Sequence, residues 1–263
     1  MEFCTYEKRD HVAYITITRP EVMNALHVFA NLELDGAWND FAADEDAWVA
    51  VFTGQGERAF SAGNDLKFTA EMSRLPADQR PKVGFPKGGF GGITSRYDLF
   101  KPVIARVNGF ALGGGFEMAM ACDIIVAAEH AEVGLPEPRR GLIAGAMGVH
   151  RLPRQMPLKA AMGYMLTGRH IPAPRAYELG IVNEVVPLER LDAAVDAWVQ
   201  DILRCAPMSV RATKEASMRG LDVTLAEAGR GSYEWENLRR KSEDAVEGPR
   251  AFAEKRTPNW LGR

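Results

Sequence analysis

The amino-acid sequence predicts an α/β fold with a parallel sheet, followed by a run of helices at the carboxyl end. In the first part of the chain, short apolar segments alternate with segments whose apolar residues recur every three or four positions. After the last strand-like segment, residues 181–186, only helical patterns follow. Strands that alternate with helices typically pair in parallel, because the crossover helix returns the chain to the same end of the sheet.

The chain opens with a predicted strand, helix and strand. Residues 11–18 (HVAYITIT) alternate apolar side chains between two faces, as in a half-buried strand. From Asn24, a possible helix cap, one apolar stripe predicts an amphipathic helix. The stripe comprises Leu26, Ala30, Leu34, Ala37 and Phe41. Residues 48–53 form the next apolar strand.

Residues 70–92 contain three prolines and the run KGGFGG, which predict a mobile surface loop. Order resumes with a strand over 102–107, a helix over 113–121 that opens on three glycines, and a buried strand over 123–128. In the last third we expect a helix marked by Leu188 to Ile202, a second over 207–219, and a helical tail. Such a tail often docks on a partner subunit.

Composition excludes several classes of protein. The 263 residues include 32 Lys and Arg against 35 Asp and Glu, without the basic stripe that nucleic-acid binding requires. Cys4, Cys122 and Cys205 lack metal-ligand spacing, and the five histidines are scattered, so we expect no metal site. No leader-like or membrane-spanning apolar run is evident, which predicts a cytoplasmic, non-membrane protein.

The glycine run 109–115 (GFALGGG) resembles a phosphate loop only superficially, because no Lys-Ser/Thr pair follows it. A serine nucleophile in a G-x-S-x-G elbow is also absent from the sequence. The run lies where a strand meets a helix, and the N–H groups of a first helical turn have no intrahelical acceptor. These groups can stabilise a developing oxyanion, and glycine lets a carbonyl approach closely.

Two glutamates are candidates for acid–base chemistry. Glu117 lies nearly one helical turn after Gly114, so its carboxylate can face the same cavity as the oxyanion donor. Glu137 lies between two prolines, which predicts a rigid, extended segment. The alternatives are a helix-dipole role for Glu117 and an exposed loop position for Glu137.

Four segments carry a family resemblance: residues 59–67 (AFSAGNDLK), 107–117 (VNGFALGGGFE), 135–137 (LPE) and 251–256 (AFAEKR). In this order and spacing they resemble the enoyl-CoA hydratase/isomerase (crotonase) superfamily. The likeness extends from residues 19–26 to the carboxyl terminus. Residues 88–94 (GGFGGIT) and 242–256 (SEDAVEGPRAFAEKR) are most similar to the carnitinyl-CoA dehydratase branch.

The resemblance implies a crotonase-like spiral of ββα units over residues 1–200, which would hold the CoA-thioester site. It also implies a helical oligomerisation region over 201–263 that would build a homotrimer or a hexamer of two trimers. The substrate would be an acyl-CoA thioester, with coenzyme A as part of the substrate and no separate cofactor.

The same resemblance implies roles for individual residues. The backbone N–H groups of Asn64 and Gly114 would form an oxyanion hole, and Glu117 and Glu137 would be the catalytic acid and base. The remaining substrate-binding residues would be Ala25, Ala62, Asp65, Leu66 and Lys67, with Phe252 and Lys255 reaching the nucleotide end of a neighbouring subunit's CoA.

Both glutamates together favour reversible addition of water to a 2-enoyl-CoA. The alternatives are an enoyl-CoA isomerase or another acyl-CoA enzyme of the superfamily and, outside enzymes, an RNA-binding or scaffold protein. Ala144 and Met147 depart from the Pro and Gly usual in hydratases, and Met147 is in a position to narrow the acyl pocket. Phe90, Phe116 and Trp235 are candidates to contact a quaternary ammonium of a carnitinyl-type substrate.

Overall fold

The computed structural model describes all 263 residues and contains two sheets. The larger sheet has the strand order β1 (Cys4–Arg9), β2 (Val12–Ile17), β3 (Val49–Gly54), β5 (Val103–Val107), β7 (Ile124–Ala128) and β10 (Glu184–Val186). The smaller sheet has the order β4 (Ala59–Ser61), β6 (Phe110–Leu112), β8 (Glu132–Gly134) and β9 (Ile171–Pro172). Only the β1–β2 and β8–β9 pairs are antiparallel.

From β3 to β8, successive strands alternate between the two sheets. The chain passes from β3 to β4, from β5 to β6 and from β7 to β8, each time leaving the larger sheet for the smaller one. A helix follows β4 and another follows β6. This repetition is a spiral of ββα turns, so the predicted α/β architecture is confirmed.

Eleven α-helices complete the fold. They are α1 (Val28–Ala43), α2 (Leu66–Arg74), α3 (Gly114–Ala121), α4 (Gly148–Gln155), α5 (Leu158–Thr167), α6 (Ala173–Glu178), α7 (Leu191–Leu203), α8 (Pro207–Gly220), α9 (Leu225–Arg230), α10 (Glu234–Arg239) and α11 (Asp244–Ala253). No helix of this set combines the length and the apolar character that crossing a membrane requires.

The core lies between the sheets and the helices that cover them. The central strands β3 and β5 are buried along almost their whole length, which explains their nearly continuous apolar sequences. Edge-to-face aromatic contacts join the layers: Trp38 of α1 lies 5.2 Å from the ring of Phe52, which lies 5.1 Å from Phe60 of β4. The smaller sheet is thereby fixed against the larger one.

The first helix begins later than its apolar stripe predicts. His27 caps α1 by accepting a hydrogen bond from the N–H of Ala30, whereas Asn24 has a left-handed backbone and is no helix cap. The buried Asn24 amide donates to the carbonyls of Gln55 and Ala59. Its polar side chain is therefore used to tie two loops together, and the prediction of a cap was wrong.

The prediction of a mobile surface loop over 70–92 was wrong at both ends. Helix α2 continues to Arg74, and the glycines at 91 and 92 lie in a buried 3-10 turn, Phe90–Gly92, packed against α1. The Gly91 N–H donates to Asn31 Oδ1 at 2.6 Å, and Trp38 Nε1 donates to the Gly91 carbonyl at 3.0 Å. Glycine here permits close packing of backbone on a helix rather than mobility.

The carboxyl-terminal helices pack on their own chain. The Trp235 N–H donates to Glu215 of α8 at 2.7 Å, and Trp260 Nε1 donates to the Arg204 carbonyl at 2.8 Å. Large apolar side chains nevertheless stay in solvent, with Leu225 90% and Phe252 87% exposed. The predicted boundary between 1–200 and 201–263 falls inside α7, and this division stays a prediction.

Candidate active site

Three neighbouring parallel strands end at the same edge of the smaller sheet, and each delivers part of the site. After β4 comes the turn 62–65, after β6 come Gly113 and Gly114, and after β8 comes Glu137. Because β4, β6 and β8 are adjacent and parallel, their carboxyl ends converge. Segments far apart in sequence are thereby brought to one place.

A cavity of about 910 Å³ opens at this edge. Nine of the predicted site residues line it: Ala25, Ala62, Asn64, Asp65, Leu66, Lys67, Gly114, Glu117 and Glu137. Phe252 and Lys255 do not line this cavity. Lys255 lines a separate surface pocket on the tail, beside Arg204 and Trp260. Within one chain, these two residues are therefore not brought to the site.

Two backbone N–H groups at the cavity have no acceptor in the protein, those of Asn64 and Gly114. Gly114 is the first residue of α3, so its N–H has no intrahelical partner. The turn residue Gly63 has a φ of +85°, and a Cβ there would lie 2.7 Å from the Gly114 nitrogen. Only glycine allows this approach, which brings the two donors together.

The turn that carries Asn64 is held from several sides. Leu26 donates its N–H to the Gly63 carbonyl at 2.8 Å and accepts from the Asp65 N–H at 3.0 Å. Asp65 also caps α2 through the Phe68 N–H and forms an ion pair with Arg19 at 3.1 Å. The Asp65 carboxylate is thus already engaged in fixing the turn.

Glu117 is only 3% exposed. Its Oε1 accepts a hydrogen bond from the Gly148 N–H at 2.7 Å. Burial raises the pKa of Glu117 to about 7, since desolvation disfavours the charged carboxylate and the N–H groups of Ala146 and Gly148 only partly offset this effect. The negative charge of Glu137 raises the pKa further. A carboxyl with this pKa can gain or lose a proton near neutrality.

Glu137 starts a 3-10 turn, Glu137–Arg140, so the extended segment predicted for it was wrong. Its Oε2 is buried without a hydrogen-bond partner, and burial also raises the pKa of this carboxyl. A Cβ on Gly113 would lie 2.9 Å from Glu137 Oε1, so the glycine makes room for the carboxylate. The acid therefore faces the cavity with unused hydrogen-bonding capacity.

Met147 does not line the cavity, so it does not narrow the pocket there. It has a φ of +80° immediately before α4, in the left-handed region where glycine is favoured. Its neighbours Gly145 and Ala146 do line the cavity. The residue therefore shapes the backbone that presents the Gly148 N–H to Glu117.

Several wall residues were missed by sequence reasoning: Phe85, Lys87, Thr94, Arg140, Leu142 and Ile143. They come from irregular segments whose positions depend on tertiary packing, so no periodic signal marks them. Of the three aromatic candidates, Phe90 lines the cavity, whereas Phe116 is fully buried elsewhere and Trp235 packs on Arg211. No group of three His, Cys, Asp or Glu side chains has the arrangement needed to hold a metal ion.

Comparisons with known proteins point to one family. Residues 7–263 match the model of the enoyl-CoA hydratase/isomerase family. A carnitinyl-CoA dehydratase of Salmonella arizonae is 42% identical over 253 residues, 94% of each chain, and one of Citrobacter koseri is 39% identical over 98% of each chain.

Solved structures give the same result. The crystal structure of an enoyl-CoA hydratase from Mycobacterium marinum superposes with a TM-score of 0.90 at 36% identity, over the full length of both chains. An enoyl-CoA hydratase from Bacillus anthracis gives a TM-score of 0.87 at 33% identity, also over both full chains. The chain belongs to the enoyl-CoA hydratase/isomerase family.

Proposed function

We propose that this protein is a hydro-lyase that reversibly adds water, with syn geometry, to a 2-enoyl-CoA and forms a 3-hydroxyacyl-CoA thioester. One observation carries the proposal: the buried Glu117 and the half-buried Glu137 line the same cavity as two N–H groups that have no acceptor in the protein. The names of the relatives support it, because both carnitinyl-CoA dehydratases and enoyl-CoA hydratases interconvert such thioesters by gain or loss of water.

The thioester oxygen would lie between the N–H groups of Asn64 and Gly114. As water adds to the β carbon, negative charge moves onto this oxygen and forms an enolate. These two fixed donors, one in the turn after β4 and one at the start of α3, stabilise that charge more than they stabilise the neutral thioester. The positive end of the α3 dipole acts in the same direction.

The two glutamates would move the protons. In hydration, Glu117 takes a proton from the attacking water while the oxygen bonds to the β carbon, and Glu137 gives a proton to the α carbon as the enolate collapses. In dehydration the same groups act in reverse. Each positioned acid or base contributes typically about 10²–10⁴ to the rate. Burial of both carboxyls supports this assignment, because it raises both pKa values toward neutrality.

Coenzyme A enters as part of the substrate, and we propose no separate cofactor. Lys67, Lys87 and Arg140 line the cavity and offer cations to the CoA phosphates, with Asp65 and Leu66 beside them. We further propose a homotrimer or hexamer in the cytoplasm, in which Phe252 and Lys255 approach the nucleotide of a neighbour's CoA. Exposure of the Phe252 ring supports a role at an interface.

For the acyl group, we propose a carnitinyl-type substrate with a quaternary ammonium. The ring of Phe90 supports this choice: it lines the cavity so close to Gly114 that a Cβ there would lie 2.5 Å from the ring. An aromatic face attracts a desolvated cation by roughly 2 kcal/mol. With the thioester oxygen in the oxyanion hole, the acyl group would extend past this ring.

The test is incubation of the protein with crotonyl-CoA and with crotonobetainyl-CoA, following loss of the conjugated-thioester absorbance. We expect turnover of both, with a higher kcat/KM for the crotonobetainyl ester. Faster turnover of crotonyl-CoA would contradict the proposed carnitinyl-type substrate, but it would still support the proposed hydratase reaction. Migration of the double bond without hydration would establish an isomerase, and tight RNA binding without any turnover would favour the scaffold alternative.

A further inference from the structure

Arg151 is a cation beside the active site that has no carboxylate within ion-pair distance. It lies on α4, and its Nη1 donates to the Thr94 carbonyl at 2.8 Å. The groups whose charges act on it are Tyr97, Cys122 and Glu117, so Glu117 is the only carboxyl among them. A guanidinium that is partly removed from water needs compensation, and here a neutral carbonyl supplies the hydrogen bond.

The helix that carries Arg151 is also the helix that holds Glu117. Gly148, the first residue of α4, donates its N–H to Glu117 Oε1 at 2.7 Å, and a Cβ on Gly148 would lie 2.7 Å from the same oxygen. Arg151 follows three residues later, nearly one helical turn. Thr94, to which its guanidinium is fixed, lines the same cavity as Glu117. The first turn of α4 therefore carries both the N–H that binds Glu117 and the guanidinium that is held on Thr94 at the wall of the same cavity.

The charges that face Glu117 are few. Glu137, on the neighbouring 3-10 turn, opposes its ionisation, whereas the N–H groups of Ala146 and Gly148 and the guanidinium of Arg151 favour it. Cys122, which also faces Arg151, stays a neutral thiol because burial raises its pKa. Tyr97 is 64% exposed, so solvent screens its influence. Arg151 thus adds a full positive charge to the two N–H groups that offset burial and the charge of Glu137.

We propose that Arg151 is a positioning residue of the active site: its guanidinium, fixed on Thr94, keeps Glu117 available as an ionised base at neutral pH. The catalytic meaning of this inference rests on the proposed hydratase function, which gives Glu117 the role of base. The effect of Arg151 on Glu117 itself does not depend on that function.

The first test measures the ionisation of Glu117 without any substrate. Infrared titration of the carboxylic-acid band, with Glu117→Gln as the reference that identifies the signal, gives its midpoint in wild type and in Arg151→Gln. We expect the midpoint to rise by up to about one pH unit in Arg151→Gln, because loss of an opposite charge disfavours the carboxylate. Arg151→Lys should restore it. Arg154→Gln, which removes a cation from the exposed side of the same helix, should leave it unchanged.

An unchanged midpoint in Arg151→Gln, or an equal rise in Arg154→Gln, would overturn the proposal. If Arg151→Gln does not fold by circular dichroism, Arg151→Met serves as the neutral variant, because it keeps an apolar stem of similar length.

The second test is the pH profile of kcat/KM for hydration of crotonyl-CoA. We expect the acidic limb of the profile to move to higher pH in Arg151→Gln, by the same shift as in the infrared titration. The profile of Arg151→Lys should be close to that of wild type. A lower rate with the same pH profile would indicate a purely structural role and contradict the proposal. If the infrared midpoint shifts in Arg151→Gln but the wild-type protein does not hydrate crotonyl-CoA, only the proposed function is contradicted.

Discussion

At the scale of single residues, the two glutamates differ in what holds them. Glu117 accepts a hydrogen bond from the Gly148 N–H, whereas Glu137 Oε2 is buried with no partner. The first is therefore oriented before substrate arrives, and the second has a free lone pair for substrate. Environments that differ in this way let two carboxyls of the same intrinsic chemistry exchange the roles of acid and base.

We predict that Glu117→Gln and Glu137→Gln each lower kcat for hydration by at least about 100-fold, because each removes a proton-transfer group and preserves shape. Binding of the CoA ester should be largely kept, since neither substitution changes the volume of the cavity. Steady-state kinetics and equilibrium binding of a saturated acyl-CoA measure the two effects. Near-normal turnover of either variant would exclude that residue from the mechanism.

Burial of Glu117 also has a consequence for stability. Its pKa is about 7 in the folded protein, against the ordinary glutamate value of 4.5 that applies to the unfolded chain, so folding favours the protonated form. The contribution of Glu117 to the free energy of unfolding is therefore fully present below pH 4.5, and it is lost as the pH rises through 7. We predict that Glu117→Gln raises the free energy of unfolding at pH 8 by up to about 3 kcal/mol relative to wild type.

The same substitution should have little effect near pH 4.5, where Glu117 is largely protonated in the folded protein. Urea unfolding at both pH values measures the difference. An equal effect of Glu117→Gln at the two pH values would show that the carboxyl does not titrate in the predicted range.

At the scale of elements, the site depends on three strand ends and on the glycines that let backbone segments approach. A Cβ on Gly115 would lie 2.0 Å from the Ser61 carbonyl, so α3 can pack on the end of β4 only with glycine at this position. The glycine run therefore serves two purposes. It presents a free N–H at Gly114, and it brings α3 against the turn that presents the second one.

We predict that the Gly114 N–H contributes about 10²–10³ to the rate. Gly114→Pro removes the N–H at the first helical position, where proline is well tolerated. A Cβ at this position meets the Phe90 ring at 2.5 Å, so both Gly114→Pro and a Gly114→Ala control should be made with Phe90→Ala. The kcat of the proline variant relative to the alanine control isolates the N–H, and equal values would refute the oxyanion role.

Elements with a strong periodic pattern were predicted well from the sequence. The strands around residues 11–18, 48–53, 102–107 and 123–128 and the helices at 113–121 and 207–219 all exist within a few residues. The errors occurred where tertiary contacts decide the local structure. Asn24 has the residue type of a cap but donates to distant carbonyls, and glycines at 88–92 are turn-forming residues that the fold uses for packing on α1.

The site was predicted in the same uneven way. Motif residues on the three strand ends line one cavity, but the loop residues of its wall do not follow from any pattern. Strands β1 and β9 were missed because one is largely polar and the other has two residues. Helices α4 to α6 were also not predicted, although α4 supplies the N–H that orients Glu117.

At the scale of the whole molecule, the tail is folded on its own chain and still exposes apolar side chains. Leu225 and Phe252 are both nearly fully exposed, on different helices of the tail. Lys255 follows Phe252 closely and has a left-handed backbone with a φ of 53°. Exposed apolar side chains of this kind suit an interface with another subunit, because nothing within one chain covers them.

We predict that Phe252→Ala weakens the oligomer and leaves the fold of the monomer intact, because its side chain has almost no contact within the chain. Leu166→Ala is the matched control, because Leu166 is an apolar residue that is 70% exposed on α5, outside residues 201–263. Analytical ultracentrifugation over a concentration series measures the assembly. Full-size oligomers of Phe252→Ala at all concentrations would exclude the residue from the interface.

We also predict that Lys255→Gln weakens binding of CoA esters about tenfold, as loss of a charge-assisted hydrogen bond does. Glutamine is chosen because alanine would combine loss of charge with a change in side-chain size at a strained backbone position. Pantetheine esters, which lack the nucleotide, should bind equally to both proteins. Equal weakening of both kinds of ester would contradict a contact with the nucleotide.

The proposed mechanism adds water across the double bond of an enoyl-CoA in one cavity, through an enolate stabilised by the N–H groups of Asn64 and Gly114. Hydration in D₂¹⁸O, followed by NMR and mass spectrometry of the product, shows where the elements of water are added. We expect one deuterium at the α carbon and one ¹⁸O at the β carbon, added to the same face. Deuterium at the γ carbon without ¹⁸O would instead show that the protein is an isomerase.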